Sequence, residues 1–190
     1  MKALTPEFRV SFPNVFKPQV NKFNNREEYT VVAVFPLGAD LSKLKEAAEA
    51  AIIAKWGADK KKWPSKLRTP FRDQAEKAKN VDGKQVLPQG FEEGAIFMNL
   101  KSNKKPGLVD ASNEDIIDSS EFYPGCWARA SINAYAYDAA GNTGVSFGLN
   151  NLQKLRDGEP LGGRTLAQDD FAPVATGGSA NAVSASDIFS

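Results

Sequence analysis

The chain has 190 residues, a formal net charge of +1, a single cysteine and no histidine. This composition lacks the usual zinc ligands and the Ser-His and Cys-His nucleophile pairs, and one cysteine cannot form an intrachain disulfide. The acidic residues are scattered in pairs such as Glu27-Glu28, Glu92-Glu93 and Asp169-Asp170, which solvated loops commonly carry. We therefore expect no metal, no cofactor and no enzyme activity.

The length is typical of one globular domain. The sequence contains no run of about 18 apolar residues, and its start, MKALTPEFRV, lacks the apolar stretch of a secretory signal. These features predict neither a membrane span nor export. A single cysteine, Cys126, fits a reducing compartment, so we expect a cytoplasmic protein.

The first elements of the chain are predicted to be two strands and a helix. Phe8, Val10 and Phe12 alternate with polar residues, which is the period of a half-buried strand, and Pro13 limits its continuation. Residues 29–35 are rich in valine and aromatic residues and predict a second, buried strand. Asp40 then suits the start of a helix over residues 41–56, which carries one apolar face and ends at a glycine.

Residues 58–90 form a basic, proline-containing excursion between the predicted strands. Residues 55–84 contain ten basic and four acidic side chains, a local charge of +6 that would attract a phosphate backbone. Because Trp63 and Phe71 stand among these basic residues, we interpret the segment as a flap over a nucleic-acid strand, partly helical around residues 71–79. A solvated, charged helix end is the alternative.

The second half of the chain is predicted to be a β-meander. Residues 95–101 have strand composition, and residues 103–107 have turn chemistry, so a hairpin carrying Lys101, Lys104 and Lys105 is expected. Residues 122–137 are the longest strand candidate, and a turn at residues 138–143 leads into a further strand.

Residues 126–138 alternate between small apolar side chains and large or polar ones. Successive side chains of a strand point to opposite faces, so the larger set forms one row at steps of about 7 Å. That row consists of Trp127, Arg129, Ser131, Asn133, Tyr135 and Tyr137. Exposed rings in such a row can stack on bases whatever the sequence. The alternative, in which the rings are core, would also bury Arg129, Ser131 and Asn133, which would then need partners.

The end of the chain differs in composition. Residues 165–190 hold three aspartates and no basic residue, whereas residues 1–164 carry a net charge of +4. Residues 172–190 are small and polar and predict a disordered tail. Its last residues, Asp187, Ile188 and Phe189, offer an acidic and aromatic anchor for a partner protein.

Residues 122–164, FYPGCWARASINAYAYDAAGNTGVSFGLNNLQKLRDGEPLGGR, resemble the signature region of a bacteriophage family of single-stranded DNA-binding proteins. The DDF at residues 169–171 and the N-terminal FRVSFPNVFKP are similar too. The resemblance implies an OB fold, a role in phage DNA replication or recombination in the infected bacterium, and a tail that contacts other replication proteins. It supports residues 127–137 and 150–164 as functional.

Together these features predict a mainly β protein: an OB-type antiparallel barrel over residues 1–171, with one helix between strands and the basic excursion at the rim of a groove, and a flexible tail over residues 172–190. Base stacking is expected from Trp127, Tyr135 and Tyr137, and from Trp63 or Phe71. Phosphate contacts are expected from Lys101, Lys104, Lys105, Arg129, Lys154 and Arg156. Two alternatives stay open, a carboxylate-metal nuclease of phage recombination and a β-rich protein-interaction module.

Overall fold

The computed structural model describes residues 2–22, 24–139 and 141–162. In chain order, the strands and the α-helix of this part are β1 (Lys2–Leu4), β2 (Phe8–Val20), β3 (Glu27–Phe35), α1 (Ser42–Trp56), β4 (Arg72–Asp73), β5 (Lys79–Val81), β6 (Lys84–Val86), β7 (Ile96–Ser102), β8 (Gly107–Val109), β9 (Trp127–Ala139) and β10 (Asn142–Arg156). Two short 3-10 helices cover Lys60–Lys62 and Gln74–Lys77.

Five of these strands close into a ring. β2 pairs with β3, β3 with β7, β7 with β10, β10 with β9, and β9 returns to β2. A closed five-stranded barrel of this kind is the architecture of an OB fold, so the expected mainly β fold is confirmed. Strand directions cannot alternate all round a ring of five, and the β7–β10 seam is accordingly parallel rather than antiparallel.

The barrel core is built from the inward side chains of its strands, closed at one end by α1. Phe8 and Phe35 meet edge to face with ring centroids 5.7 Å apart, and α1 buries Leu44 and its neighbouring alanines in the same cluster. The helix begins where the carboxylate of Asp40 accepts the Ser42 N–H at 2.9 Å. It ends at Gly57, whose positive φ of 86° suits glycine. The predicted helix is therefore confirmed.

A second hydrophobic cluster lies on the outside of the β3–β7 wall. Val32 and Val34 of β3 pack there with Phe97 of β7, and Phe91 and Ala95 cover them. The Phe91 and Phe97 rings are edge to face at 5.6 Å. This part of the outer wall is therefore closed to solvent.

The partly helical stretch predicted around residues 71–79 of the basic excursion is a short 3-10 helix, Gln74–Lys77, and not an α-helix. The Asp73 carboxylate accepts the Ala75 N–H at 2.8 Å, which starts a single 3-10 turn instead. β5 and β6 then pair with each other around a turn formed by Asp82 and Gly83, both at positive φ. The residues of this segment therefore form short turns and a hairpin in place of an α-helix.

Part of the excursion completes the barrel wall. β7 and β10 pair at one register position, Lys101 opposite Gly148, and residues 68–73 fill the rest of the seam. The Arg68 N–H donates to the Thr143 carbonyl, and the Arg68 carbonyl accepts the Val145 N–H, both at 3.0 Å. Arg68, Arg72 and Asp73 are therefore paired into the sheet, and this part of the predicted flap belongs to the barrel wall.

The predicted hairpin after residue 95 is wrong. β7 and β8 pair with successive positions on the same side of β10, the side opposite β9, and both run parallel to it, so they do not pair with each other. The loop at residues 103–106 joins the two strands along this side of β10, and the Asn151 side chain accepts the Gly107 N–H at 3.2 Å. Turn residues in the sequence show that the chain bends, but they do not specify its next partner strand.

Candidate nucleic-acid interface

The two faces of β9 differ as the alternation in the sequence predicts. Ala128, Ala130, Ile132 and Ala134 are buried in the core. Arg129, Asn133 and Tyr135 are exposed on the opposite face, and Trp127 and Tyr137 are half-buried there. Tyr135 keeps 42% of its surface accessible, so the alternative that places it in the core is wrong.

The two tyrosines of this row lie beside glycines of β10. Tyr137 is paired with Gly144, and a Cβ at Gly144 would lie 2.7 Å from the Tyr137 hydroxyl and 2.6 Å from the Arg68 carbonyl oxygen. A Cβ at Gly148 would lie 3.7 Å from the ring of Tyr135. The missing side chains make room for the rings against the β10 backbone, and the outward side of Tyr135 stays open. We call Asn133, Tyr135, Tyr137, Gly144 and Gly148 the tyrosine surface.

Lys101 borders the tyrosine surface. It is the register partner of Gly148, which in turn pairs with Asn133, so Lys101 stands two strands from β9, about 10 Å away at normal strand spacing. Its ammonium lies 3.7 Å from the Glu28 carboxylate, and its side chain is partly exposed. The fold thus brings Lys101 to the border of a surface formed by Tyr135 and Tyr137, which lie more than 30 residues further along the chain.

Glu28 holds the loop between β2 and β3 next to Lys101. Asn21 and Asn24 donate to its two carboxylate oxygens at 2.9 and 3.2 Å. Burial favours the protonated form of this carboxyl, but the two hydrogen bonds and the Lys101 charge outweigh burial and lower its pKa. Glu28 is therefore ionised and buried at neutral pH.

At the Trp127 end of the β9 row, the side chains are engaged in contacts with other residues of the protein. The Arg156 guanidinium lies 4.3 Å from the centre of the Trp127 indole, and its Nε also donates to Glu7 at 2.7 Å. Gly158 packs at the edge of the same indole. Arg129 donates from Nε to Gln153 at 2.8 Å. Trp127 is thus covered on one face by a cation, unlike Tyr135.

Lys154 is engaged in a local network. Its ammonium is 2.8 Å from Asp157 and 5.4 Å from the centre of the Tyr123 ring, and its side chain is only 16% exposed. Burial works against its charge, but Asp157 outweighs it, so the pKa of Lys154 is raised. Tyr123 donates to Asp157 at 2.9 Å. The charge of Lys154 is therefore already neutralised by Asp157.

The remaining predicted residues are distributed as follows. Lys104 and Lys105 are exposed in the loop after β7, and neither forms an ion pair with the described residues. The Trp63 indole N–H donates to the Gly57 carbonyl at 2.8 Å, which ties the excursion to the end of α1. Phe71 packs edge to face on Phe147 of the core at 5.9 Å. Asp187, Ile188 and Phe189 lie outside the described residues.

Phe12 is an outward aromatic residue that the sequence pattern did not reveal. Alternation with Phe8 and Val10 placed it inside, yet it is 58% exposed. The ladder between β2 and β3 is irregular between Ser11 and Asn14, and Phe12 there has a φ of +45°. Pro13, which has no N–H to donate, was the signal that the regular alternation ends here.

Two searches within the described residues bear on other kinds of site. None of the helices in this part of the chain combines the length and apolar character needed to cross a membrane. Within the same residues, no three histidine, cysteine, aspartate or glutamate side chains are grouped so that they could hold a metal ion.

Comparison with known proteins agrees with this fold. Residues 1–182 match a family model described as Enterobacter phage Enc34, ssDNA-binding protein. The structure is similar to the single-stranded DNA-binding protein from bacteriophage Enc34 in complex with ssDNA, with a TM-score of 0.65 and 17% identity over 85% of this chain and 89% of that chain. It is also similar to gp2.5, a single-stranded DNA-binding protein encoded by bacteriophage T7, with a TM-score of 0.58 and 14% identity over 96% and 99% of the two chains.

Among curated proteins, no match to the sequence is found. The family match nevertheless extends over nearly the whole chain, and both structural neighbours share its architecture. The resemblance seen in the sequence is thereby confirmed, and the chain belongs to the Enc34 family of phage ssDNA-binding proteins.

Proposed function

We propose that this protein binds single-stranded DNA without sequence preference and protects it during phage DNA replication or recombination, in the cytoplasm of the infected bacterium and without catalysis. The observation that carries the proposal is the tyrosine surface, in which Tyr135 presents an open ring and which the cationic side chain of Lys101 borders two strands away. Membership of a single-stranded DNA-binding family supports it.

The chemistry of this surface suits a single strand. A base stacked on an aromatic ring contributes about 1 to 3 kcal/mol, and every base offers a π-face, so stacking is tolerant of sequence. Duplex DNA hides these faces within its own stack. We therefore assign base stacking to Tyr135 and Tyr137 and phosphate contacts to Lys101, Lys104, Lys105 and Arg129.

The other candidates receive different roles in this proposal. Trp127 and Arg156 form a second contact region, about 26 Å along β9 from Tyr135 at the usual rise per residue. Lys154, Trp63 and Phe71 support the fold through the contacts described above. Residues 172–190, with Asp187, Ile188 and Phe189, are proposed to contact replication proteins.

A binding titration tests the proposal. Labelled oligo-dT and a duplex of equal length are titrated with the full chain at moderate salt, and the single strand is expected to bind more tightly. Equal affinity for the two would contradict the stacking surface. The same oligonucleotide, incubated with the protein and magnesium or manganese, should stay intact, whereas its cleavage would establish the nuclease alternative.

A further inference from the structure

A groove runs along the side of β2 that β3 does not cover. It has a volume of about 720 Å³ and lies between residues 12–19 and residues 119–124. Four aromatic residues line it, Phe12, Phe16, Phe122 and Tyr123, of which Phe122 is buried. Lys17 is the charged residue among the lining residues, which include no carboxylate. A groove with rings and a positive charge is chemically suited to a nucleotide.

A row of outward polar residues leads from the tyrosine surface to this groove. Strand register places Asn133 beside Gly148, Gly148 beside Lys101, Lys101 beside Thr30, and Thr30 beside Asn14. Asn14 lines the groove and donates to the Thr30 hydroxyl at 3.2 Å. The row follows the barrel wall across five strands, a path of about 19 Å at normal strand spacing.

Phe12 stands at the point where this row enters the groove, and its backbone is strained. A φ of +45° is unusual for a residue with a side chain, and for a bulky one it is a genuine outlier. A regular strand would have turned the ring inward, whereas the irregular ladder turns 58% of it to solvent. Strain that exposes an apolar ring does not serve packing, and such strain gathers at ligand-binding sites.

The surroundings of Phe12 are positively charged. The Lys77 ammonium lies 5.9 Å from the centre of the Phe12 ring and 5.1 Å from that of Phe97. The Arg72 guanidinium is 5.2 Å from the same Phe97 ring. Burial, followed by the Arg72 charge, lowers the pKa of Lys77, and the Glu76 carboxylate, which accepts hydrogen bonds from Arg72, offsets this repulsion only in part. A phosphate has the charge that this position favours.

We infer that Phe12 is a second base-stacking position, at which a single DNA strand that crosses the barrel from the tyrosine surface enters the groove, with Lys77 and Lys17 beside its phosphates. The inference rests on the proposed function. A protein partner could use the rings, but two lysines and the polar row of Asn14, Thr30 and Lys101 favour a polyanion. A path of about 19 Å agrees with the sites of about 4 to 16 nucleotides known for OB folds.

The decisive variant is Phe12→Gly. Glycine adopts a positive φ without strain, so the substitution removes the ring and should leave the melting temperature unchanged or higher. Affinity for oligo-dT should fall about 5- to 150-fold, which is one stacked base. Phe12→Tyr should keep wild-type affinity. Ile117→Ala, which truncates an apolar side chain that is 87% exposed elsewhere on the surface, is the matched control and should have no effect.

Coupling with the tyrosine surface adds a second readout. Phe12 and Tyr135 lie on different strands and share no contact, so the losses from Phe12→Gly and Tyr135→Ala should multiply in the double variant. Wild-type protein that fails to bind oligo-dT would overturn the proposed function itself. Wild-type binding with unchanged affinity in Phe12→Gly would overturn only the role of Phe12. If Phe12→Gly does not fold, Phe12→Leu decides, because it keeps apolar bulk without an aromatic face.

Discussion

At the residue scale, the important distinction is between rings that face solvent and rings that are covered. Tyr135 and Phe12 are both exposed, whereas Trp127 lies under Arg156 and Phe71 against Phe147. The sequence places all four near basic residues, so composition alone cannot separate them. The separation depends on which face of a strand each ring occupies, and that follows from pairing.

Tyr135→Ala should weaken binding of single-stranded DNA by about 1 to 3 kcal/mol and leave the melting temperature unchanged, because the ring contributes little to the core. Fluorescence anisotropy with oligo-dT and thermal melting measure the two effects. Tyr135→Phe keeps the ring and should bind as the wild type does. A large drop in melting temperature for the alanine variant would show that the ring is structural.

Trp127 illustrates the limit of prediction at a single residue. The alternation that places it on the outward face is local and was read correctly from the sequence. Its cover comes from Arg156, 29 positions further along the chain, through the β9–β10 pairing. Phe12 shows the opposite case, since one irregularity in the ladder exposes a ring that alternation would bury. The alternation along a strand predicts which face of the strand a side chain occupies. Residues distant in the sequence then determine whether that side chain is accessible to solvent.

At the scale of elements, the loop between β2 and β3 depends on a buried carboxylate. Glu28 has a pKa lowered in the folded state, so its stabilising contribution is complete above its ordinary value of 4.5 and is lost as the pH falls through the folded pKa. The wild-type melting temperature should therefore fall more steeply below pH 4.5 than that of Glu28→Gln. Thermal melts across this range measure the difference, and Glu93→Gln, at an exposed position, is the control.

The segment at residues 68–73 has a structural role that can be tested separately from DNA binding. Phe71→Ala removes a half-buried ring from the seam and should cost about 2 kcal/mol, below the 3 to 5 kcal/mol of a fully buried phenylalanine. Denaturant unfolding measures this cost, and Phe71→Leu should recover most of it. The folded alanine variant should bind oligo-dT almost normally. A selective loss of affinity would instead return Phe71 to the DNA surface.

Pairing between elements was the least predictable part of the fold. The strand compositions of β3, β7, β9 and β10 are visible in the sequence, and so is α1. The parallel placement of β7 and β8 one after the other along the same side of β10 is not, because each pairing joins segments about 40 or more residues apart. Turn residues after β7 fit a hairpin as well as a loop that continues along the same partner strand. In the closed barrel β9 occupies one side of β10, and β7 and β8 both pair along the other side.

At the scale of the whole molecule, positive charge should make binding depend on salt. The logarithm of affinity is expected to fall with the logarithm of salt concentration by about 0.7 for each phosphate that is neutralised on a single strand. Replacing both Lys104 and Lys105 by alanine should therefore reduce the slope by up to about 1.4. Titrations at several salt concentrations measure it. Lys43→Ala with Lys45→Ala, two exposed positions on α1, is the control pair, and an unchanged slope in Lys104→Ala with Lys105→Ala would remove that loop from the interface.

The seam between β7 and β10 is closed in part by residues of the basic excursion and not by direct pairing of the two strands alone. The backbone pairing of Arg68 with Thr143 and Val145 is held by two hydrogen bonds, and the segment that supplies them is rich in cationic side chains. Mutual repulsion of those cations favours release of the segment, and a bound polyanion would cancel it. Bound DNA would then stabilise the pairing of this segment with β10. Amide hydrogen exchange at Arg68 and Val145 should therefore slow together when the strand is bound.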